Sequence, residues 1–277
     1  MQETAGASSS AVVIGAIPAR YGSQRLPGKA LHLLAGKPMV EHVYRRAKKA
    51  AGLDRVVILT DDERIARAVE LFGGEFEMTP AECNSGTDRI AWAARNWDCA
   101  GVINIQGDEP LIDPLGISRV AEHLRAYPGD PIVTLAADAL EGDLDSPSVV
   151  KTVLDRDGYA LYFSRAAIPF PRLPGGAAAL RHLGIYGYQR DALLRLAALP
   201  QTPLERSESL EQLRALENRM SIRVLTGARP SWGVDTPEDA AEVDARLRQE
   251  EAASGSEAGI GANRSSDVQR PAEGAGR

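Results

Sequence analysis

Short apolar runs alternate with amphipathic segments through the first hundred residues, and this alternation most restricts the possible folds. Residues 12–17 (VVIGAI), 55–60 (RVVILT) and 101–106 (GVINIQ) are mainly apolar, as in strands buried on both faces of a sheet. Helices are predicted over residues 38–51, 62–72 and 88–97, and a short strand over 75–78. This order predicts an α/β fold with a mostly parallel, doubly wound sheet and ligands at the carboxyl ends of its strands.

Capping residues stand where these helices are expected to begin and end. Thr60 and Glu63 have the spacing of a capping box for the helix over residues 62–72, and Gly73 would end that helix. Ser85 or Thr87 is placed to cap the helix that follows. The capping signals therefore agree with the apolar periodicity.

The second half of the chain is less regular. Residues 151–163 are predicted to form two strands around the turn at 155–158, and the Pro- and Gly-rich residues 165–179 a loop. Further strands are expected over 184–188 and 221–225, and helices over 191–198, 207–217 and 237–248. We expect this half to complete the sheet and to form a smaller lobe over the site.

Both ends of the chain are rich in small and polar residues. Residues 1–10 and 249–277 lack an apolar period, and such composition predicts disordered tails. The folded domain is therefore expected to span residues 11–248.

The overall composition excludes several classes of function. The 277 residues carry a formal net charge of −6, so a basic nucleic-acid-binding face is not expected. No run of eighteen apolar residues occurs, and residues 1–10 lack the pattern of a secretory signal, so membrane insertion is not expected. The two cysteines match no zinc or CxxC spacing and fit reduced thiols in a cytoplasmic protein.

A loop with three cations directly follows the first predicted strand. It contains Arg20, Arg25 and Lys29, and Gly22 and Gly28 would allow its backbone to approach an anion closely. Its place at a strand end favours triphosphate binding, and an ordinary solvated loop is the alternative. The spacing matches neither GxxxxGK[ST] nor GxGxxG.

Two aspartates stand at predicted strand or helix ends where a metal could bind. Asp108 follows the strand over 101–106, and Asp235 precedes the helix over 237–248. One or two carboxylates together with phosphates suit Mg²⁺. A turn at Asp108 and a turn or capping role for Asp235 are the alternatives, because Thr236 and Asp239 already mark a helix start.

A further cation lies at the start of the helix over residues 88–97. Arg89 would project from this helix toward the strand ends. A solvated arginine on a capped helix is the alternative.

Taken together, the motifs closely resemble the 3-deoxy-manno-octulosonate (Kdo) cytidylyltransferases. The resemblance runs from about residue 11 to 245, and DGYALYFSRAAIPF followed by RHLGIYGY is its most specific part. The matching segments are IPARYGSQRLPGK (17–29), SGTDRIA (85–91), INIQGDEPLI (103–112), KTVLDRDGYALYFSRAAIPF (151–170), RHLGIYGY (181–188), LEQLR (210–214) and GVDTPED (233–239).

The resemblance implies a fold, a reaction and a set of partners. The fold would be that of the nucleotide-diphospho-sugar transferases, a Rossmann-like sheet with a smaller dimerisation and substrate lobe. The reaction would join CTP and Kdo, an acidic sugar, to give CMP-Kdo and pyrophosphate for lipopolysaccharide biosynthesis. It would require Mg²⁺ and take place in a cytoplasmic homodimer.

Roles for individual residues follow from the positions that match the family. Lys29, Asp108, Asp235 and Arg20 are implied to be catalytic, with Asp108 and Asp235 as the metal ligands. The implied nucleotide-binding residues are Ala19, Arg20, Arg25, Lys29, Ser85, Arg89 and Gln106. The implied sugar-binding residues are Gln106, Arg165, His182, Tyr186, Glu208, Glu211 and Gln212.

Several alternatives stay open at this point. The substrate could be an 8-amino analogue of Kdo or a sialic-acid-like sugar, because a few pocket side chains would decide between them. A non-catalytic nucleotide-sugar binder would be expected to have lost Asp108, Asp235, Arg20 or Lys29, and all four are present. A dinucleotide-dependent dehydrogenase would need the glycine fingerprint that the chain lacks. His182 could donate a hydrogen bond, accept a proton or only pack.

Overall fold

A computed structural model gives the architecture of the chain. It describes residues 12–22, 25–173 and 175–262, the last nine of these by backbone alone. The predicted tail over residues 1–10 lies outside the described residues, as does the 263–277 part of the other predicted tail.

Strands and helices alternate through most of the described chain. The strands are β1 (Val13–Ala19), β2 (Leu33–Leu34), β3 (Lys37–Pro38), β4 (Arg55–Thr60), β5 (Phe76–Met78), β6 (Gly101–Asn104), β7 (Ile132–Asp138), β8 (Lys151–Leu154), β9 (Ala160–Ser164), β10 (Leu180–Gln189) and β11 (Ile222–Leu225). The helices are α1 (Met39–Ala47), α2 (Glu63–Leu71), α3 (Gly86–Ala94), α4 (Pro114–Ala126), α5 (Arg190–Ala197), α6 (Pro203–Glu208), α7 (Gln212–Glu217) and α8 (Pro237–Ala262), with a 3₁₀ turn at Lys29–Leu31.

Within the described residues, one nine-stranded sheet organises the fold. Its central order is β11-β7-β10-β6-β1-β4-β5, and β8 and β9 attach beside β10. β1 runs parallel to both β4 and β6, and β11 runs parallel to β7. β10 is antiparallel to β6 and β7, so it joins two parallel groups. The predicted mostly parallel α/β sheet is confirmed.

The two faces of the sheet are covered by separate apolar clusters. Side chains of successive strand residues point to opposite faces, and in β1 Ile14 and Ala16 pack into one cluster while Val13 and Ile17 pack into the other. Residues of α3 and α5 contribute to the first cluster, and residues of α1, α2 and α4 to the second. This explains why the strand sequences are apolar at nearly every position.

Two predicted helix boundaries are wrong. Thr60 is the last residue of β4, and the Asp62 carboxylate instead caps α2 by accepting from the Arg64 N–H at 2.9 Å. The predicted helix over 207–217 is two short helices, α6 and α7, because Ser209 between them adopts a left-handed conformation with φ 52°.

The prediction of a disordered tail from residue 249 is wrong for residues 249–262, which continue α8. The first of these residues are strong helix formers, such as Glu and Ala. Two ion pairs also hold this part of α8 to the core. The Glu250 carboxylate lies 2.5 Å from the Arg46 guanidinium, and Glu251 lies 2.5 Å from the Lys37 ammonium. The folded domain therefore extends beyond the expected boundary at 248.

The sequence analysis missed α4 and β7. Signals for both exist, because Asp113 caps α4 with Pro114 at its first position, and β7 is an apolar run with a buried pattern. Without β7, the predicted sheet lacked the strand that lies between β11 and β10.

Candidate active site

A cleft of about 570 Å³ lies at the carboxyl ends of β1 and β6. Four parts of the chain line it: the end of β1 with its loop, the start of α3, the loop after β6 and Asp235, just before α8. The lining residues include Ala19, Arg20, Arg25, Lys29, Gly86, Gln106, Asp108 and Asp235. The structure therefore brings together seven of the sequence-predicted residues, and it does so at the sheet edge where ligands were expected.

Lys29 links the two predicted metal carboxylates. Its ammonium nitrogen lies 2.7 Å from Asp108 Oδ2 and 2.9 Å from Asp235 Oδ1. Burial opposes the charge of Lys29, but the two aspartates outweigh it and raise the pKa of Lys29 above its ordinary value. The Arg25 guanidinium adds a 3.1 Å contact to Asp235. Positive and negative groups thus converge on one point of the cleft.

Local structure fixes the two carboxylates. The Val234 N–H donates to the Asp108 carbonyl oxygen at 2.9 Å, which joins the two carboxylate-bearing segments through their backbones. The Asp239 carboxylate accepts from the N–H groups of Asp235 and Thr236, both at 2.9 Å. The capping box at the start of α8 therefore also holds the backbone of Asp235.

Gly107 allows the loop after β6 to lie against the end of β1. A Cβ atom at this position would be 2.7 Å from the Pro18 carbonyl oxygen, closer than van der Waals contact permits. The backbone of Gln106 and Asp108 can reach the cleft because no side chain intervenes. From the sequence, this glycine was placed only within the INIQGDEPLI segment and was given no role.

The two aspartates fit a hard divalent cation. Carboxylate oxygens are the ligands that Mg²⁺ takes from proteins, usually one or two together with substrate phosphates. In the part of the chain that the structure describes, no cluster of three or more histidines, cysteines and acidic residues could hold a metal. A two-carboxylate centre matches the chemistry of a phosphate-bound magnesium rather than that of a structural zinc.

Other predicted nucleotide-side residues lie around the same cleft. Arg20 donates to the Cys83 carbonyl, and Gln106 Nε2 donates to the Gly184 carbonyl oxygen at 2.9 Å. Ser85 caps α3, where its hydroxyl accepts from the Asp88 N–H at 3.0 Å. Ser85 lines a second cavity, of about 880 Å³, and its neighbour Gly86 lines the first.

The second cavity carries Glu211, one of the predicted sugar-binding residues. Burial raises the pKa of Glu211, although hydrogen bonds from Thr87 and Ser85 and the charge of Arg214 oppose this shift. Gln212 follows it as the first residue of α7 and is buried. The Glu211 carboxylate thus lies between the start of α3 and the start of α7.

Arg89 does not reach the cleft. Its side chain is fully buried, with its guanidinium donating to Asp61 Oδ2 at 2.9 Å and to Thr79 Oγ1. The guanidinium does project toward the strand ends as predicted, because Asp61 directly follows β4 and Thr79 directly follows β5, whereas the alternative of a solvated arginine is wrong. Its charge is balanced by Asp61, a partner from the end of β4 that the sequence analysis did not consider.

Arg165 and Glu208, two of the predicted sugar-binding residues, are joined by hydrogen bonds. The Glu208 carboxylate accepts from the Arg165 backbone N–H at 2.9 Å and from the Ser164 hydroxyl at 2.6 Å. The pKa of Glu208 is lowered because these bonds outweigh the effect of burial. The Arg165 guanidinium donates to the carbonyl oxygens of Glu208 and Pro147, each at 2.9 Å.

His182 and Tyr186 both lie on β10, four positions apart. Burial lowers the pKa of His182 to about 3, so its imidazole is neutral at neutral pH. The two rings lie 5.2 Å apart, and His182 Nε2 lies 2.9 Å from Thr134 Oγ1. The Tyr186 hydroxyl is buried and has no hydrogen-bond partner among the described residues.

Glu109 is a titratable residue that the sequence analysis quoted without assigning a role. Burial and the neighbouring charge of Asp108 raise its pKa to about 7. Its carboxylate faces Gly184 of β10 across a small gap, because a Cβ atom added at Gly184 would lie 3.3 Å from Glu109 Oε1. The signal was its position directly after Asp108 at a strand end.

Comparison with known proteins agrees with this geometry. A family model described as cytidylyltransferase matches residues 14–222. A 3-deoxy-manno-octulosonate cytidylyltransferase of Syntrophotalea carbinolica is 49% identical, with 85% of this chain and 98% of the relative covered. An 8-amino-3,8-dideoxy-manno-octulosonate cytidylyltransferase of Shewanella amazonensis is also 49% identical, over 84% and 97% of the two chains.

A solved structure is similar over the same part of the chain. It is a CMP:2-keto-3-deoxy-manno-octonic acid synthetase complexed with CTP, 43% identical, with a TM-score of 0.83. The match covers 86% of this chain and 99% of that one. About one seventh of this chain therefore lies outside the match, whereas nearly the whole solved chain is matched.

Proposed function

Because this chain belongs to the cytidylyltransferase family, we propose that it transfers CMP from CTP to the anomeric hydroxyl of Kdo. The products are CMP-Kdo, the activated sugar for lipopolysaccharide biosynthesis, and pyrophosphate. The relatives named for this reaction match nearly their whole length, and the similar solved structure was determined with CTP.

The convergence of Lys29, Asp108 and Asp235 carries this proposal. Three segments far apart in the chain meet where a triphosphate would need cations and a metal would need carboxylates. Arg20 and Arg25 line the same cleft and add positive charge. A cleft built in this way suits phosphoryl-group chemistry, in which most of the catalysis is positioning and charge neutralisation.

The transfer needs no nucleophile from the protein. The anomeric oxygen of the sugar forms a bond to the α-phosphorus, the bond from that phosphorus to the β-bridging oxygen breaks, and the hydroxyl proton is released. Lys29, Arg20 and Arg25 would neutralise the triphosphate and the leaving pyrophosphate. Ala19, Ser85 and Gln106 would contact the nucleotide, with Arg89 supporting the end of β4 through Asp61.

We assign Mg²⁺ as the divalent cation, held by Asp108 and Asp235. A bound magnesium ion would neutralise phosphate charge and lower the pKa of a coordinated hydroxyl. Lys29 contacts both carboxylates and keeps them on one side of the cleft. Its raised pKa keeps this lysine charged throughout the neutral range.

The acidic sugar would bind beside the cleft, in the region of β10, α6 and α7. Gln106 lies between the two sides, because its amide lines the cleft and bonds to Gly184 of β10. Arg165 would bind the sugar carboxylate, for which a guanidinium is well matched. The hydroxyl groups would be bound by His182, Tyr186, Glu208, Glu211 and Gln212.

We also propose that the protein is a cytoplasmic homodimer. Leu161 of β9 and Phe170 and Leu173 of the following loop are 62%, 82% and 76% exposed, and large exposed apolar side chains are typical of protein–protein contacts. Among the described residues, no helix is both long and apolar enough to cross a lipid bilayer.

A molar mass near twice that of one chain in light scattering would support the dimer, and a monomer mass at micromolar concentration would refute it.

Pyrophosphate release tests the proposed reaction. Purified protein with CTP, Mg²⁺ and Kdo is expected to release pyrophosphate, whereas omission of the sugar or replacement of CTP by UTP should abolish the release. Release that does not depend on Kdo would point to a nucleotide hydrolase. A folded protein that binds CTP but releases nothing with Kdo would point to another sugar acid or to a binding role.

The 8-amino analogue of Kdo is the second candidate substrate. It is kept because relatives named for either sugar are equally identical to this chain, at 49%. The two sugars differ in one hydroxyl or amino group, so a direct comparison of kcat/KM decides between them. We expect Kdo to give the higher value, and a higher value for the amino sugar would transfer the assignment to it.

A further inference from the structure

The strand β10 contains a bulge between Leu183 and Tyr186. Leu183 pairs with Leu135 of β7 and Tyr186 pairs with Thr134, so Gly184 and Ile185 have no counterparts in β7. Bulges bend a strand and redirect its side chains, and they are frequent beside active sites. This bulge separates His182 from Tyr186, the two β10 residues proposed to bind the sugar.

Side chains from neighbouring strands satisfy the carbonyl groups of the bulge. Thr134 Oγ1 lies 2.7 Å from the Ile185 carbonyl oxygen and 3.3 Å from that of Leu183. Gln106 Nε2 donates to the carbonyl oxygen of Gly184 at 2.9 Å. Thr134 is fully buried, so no water competes for these bonds.

The direction of the Thr134 hydrogen bonds follows from its single proton. A carbonyl oxygen only accepts, so at 2.7 Å the hydroxyl must donate to Ile185. The hydroxyl oxygen can then only accept from the third neighbour, His182 Nε2, at 2.9 Å. The imidazole nitrogen in this contact must therefore carry a hydrogen atom.

We propose that Thr134 is a positioning residue that fixes His182 in the tautomer protonated at Nε2, leaving Nδ1 as a hydrogen-bond acceptor. The hydrogen-bond chain runs from His182 through Thr134 to the bulge carbonyl, so the tautomer is coupled to the shape of β10. The side chain of Thr134 lies on β7, a strand in which the sequence analysis assigned no functional residue.

Packing holds the imidazole in the orientation that this chain requires. Phe163 contacts the ring edge to face, with centroids 5.0 Å apart, and Tyr186 packs beside it at 5.2 Å. Burial keeps the ring neutral at neutral pH, because it lowers the pKa of His182 to about 3. A neutral imidazole with one fixed hydrogen presents one donor and one acceptor, and which nitrogen does which is set by its partner.

The effect on the reaction rests on the proposed function. The proposed tautomer of His182 does not depend on that function. If His182 binds the sugar acid, Thr134 determines that Nδ1 accepts a hydrogen bond from a sugar hydroxyl rather than donating one. Loss of the Thr134 hydroxyl should then weaken use of the sugar and leave CTP binding unaffected.

Nitrogen-15 NMR of histidine-labelled wild-type protein tests the tautomer directly and needs no substrate. The chain has four histidines, and a His182→Asn variant assigns the resonances of His182. We expect a protonated Nε2 and an unprotonated Nδ1 at pH 7. A protonated Nδ1, or an imidazolium, would overturn the proposal.

Two substitutions at Thr134 separate positioning from packing. Thr134→Val keeps the shape and removes the hydroxyl, and Thr134→Ser keeps the hydroxyl and removes a methyl group. We expect Thr134→Val to lose the wild-type His182 signature and to lower kcat/KM for the sugar about tenfold, with KM for CTP unchanged. Thr134→Ser is expected to retain the signature and most of the activity.

The outcomes distinguish this proposal from a general structural role. A folded Thr134→Val protein with the wild-type tautomer overturns it, and so does loss of the tautomer in Thr134→Ser. If Thr134→Val does not fold, the nitrogen-15 spectra of the wild-type and Thr134→Ser proteins still show whether His182 has the proposed tautomer. If the tautomer is as proposed but the wild-type protein does not use Kdo, the proposed function fails and the positioning of His182 stands.

Discussion

At the scale of single residues, the site depends on side chains that could each have a purely structural role when considered alone. Asp108 lies in good turn sequence, and Asp235 precedes a capped helix, so the sequence alone leaves either as a structural residue. The contact of both aspartates with Lys29 distinguishes them from ordinary turn and capping residues. Lys29 and Asp235 are 206 positions apart in the chain, so the sequence does not show this contact. Arg89 shows how a neighbour changes the interpretation of a cation, because Asp61 pairs with its fully buried guanidinium at 2.9 Å.

Removing either metal carboxylate should abolish most of the activity without unfolding the protein. We expect Asp108→Asn and Asp235→Asn each to lower kcat by about 100-fold or more, because each weakens a ligand of the Mg²⁺ ion that would neutralise the phosphate charge. The circular dichroism spectrum should be unchanged, since both side chains are partly exposed. Asp98→Asn, an exposed residue away from the cleft, is the matched control.

Near-normal turnover in both aspartate variants would contradict the metal assignment. Equal losses in the Asp98 variant would mean that the effect is one of overall charge.

His182 should make the stability of the protein depend on pH in mildly acid solution. Its pKa is about 3 in the folded chain against an ordinary 6.5, so the unfolded chain binds the extra proton first. The contribution of the neutral His182 imidazole to the free energy of unfolding is therefore present above pH 6.5 and is lost as the pH falls toward 3. Between pH 6.5 and 5 the loss should be about 2 kcal/mol.

Urea unfolding of wild type and His182→Asn across this pH range measures the effect. The free energy of unfolding of the variant should fall less steeply with decreasing pH. Parallel curves for the two proteins would show that the imidazole is not buried in neutral form.

At the scale of elements, apolar runs and capping residues predict most strands and helices, and the errors have local causes. The strands β1, β4 and β6 were predicted because both of their faces are buried. The break between α6 and α7 was not, since a left-handed Ser209 has no reliable sequence signal. The extension of α8 was missed because its Ala- and Glu-rich sequence lacks an apolar stripe and is held by ion pairs.

The start of α8 should matter for the metal as well as for the helix. Asp239 accepts from the backbone N–H groups of Asp235 and Thr236, so Asp239→Ala should cost about 1 kcal/mol of stability and loosen Asp235. We expect a higher Mg²⁺ concentration for half-maximal activity. Glu238→Ala, at an exposed first-turn position, is the control and should change neither quantity.

If Asp239→Ala and Glu238→Ala show the same magnesium dependence, the capping box does not position Asp235.

Truncation after Arg248 should leave the enzyme active and slightly less stable. It removes the ion pairs of Glu250 and Glu251 with α1 and β3, whose acidic side chains are more than half exposed. Exposed ion pairs contribute little to stability, because water and salt screen the attraction between the charges. Thermal unfolding and pyrophosphate release check this, with Glu250→Gln/Glu251→Gln in the full chain as the comparison. Loss of activity on truncation would show that the end of α8 belongs to the site.

At the scale of the whole molecule, β10 joins the two halves of the site. It lies antiparallel between β6, whose end carries Gln106 and Asp108, and β7, which carries Thr134. The sequence analysis predicted the segments, their class of fold and the cleft residues. The order of strands could not be predicted from them, because it depends on contacts between residues far apart in the chain. The orientation of Arg89 and the role of Thr134 depend on that order.

The most direct test of the account follows the α-phosphorus of CTP. The protein is incubated with CTP labelled at this atom, Mg²⁺ and Kdo, and the products are separated. We predict that the label moves to a sugar-linked CMP in equal amount to the pyrophosphate released, and that no label moves without Kdo. Label recovered as free CMP, or retained in CTP by a folded protein with all substrates present, would contradict the proposed transfer.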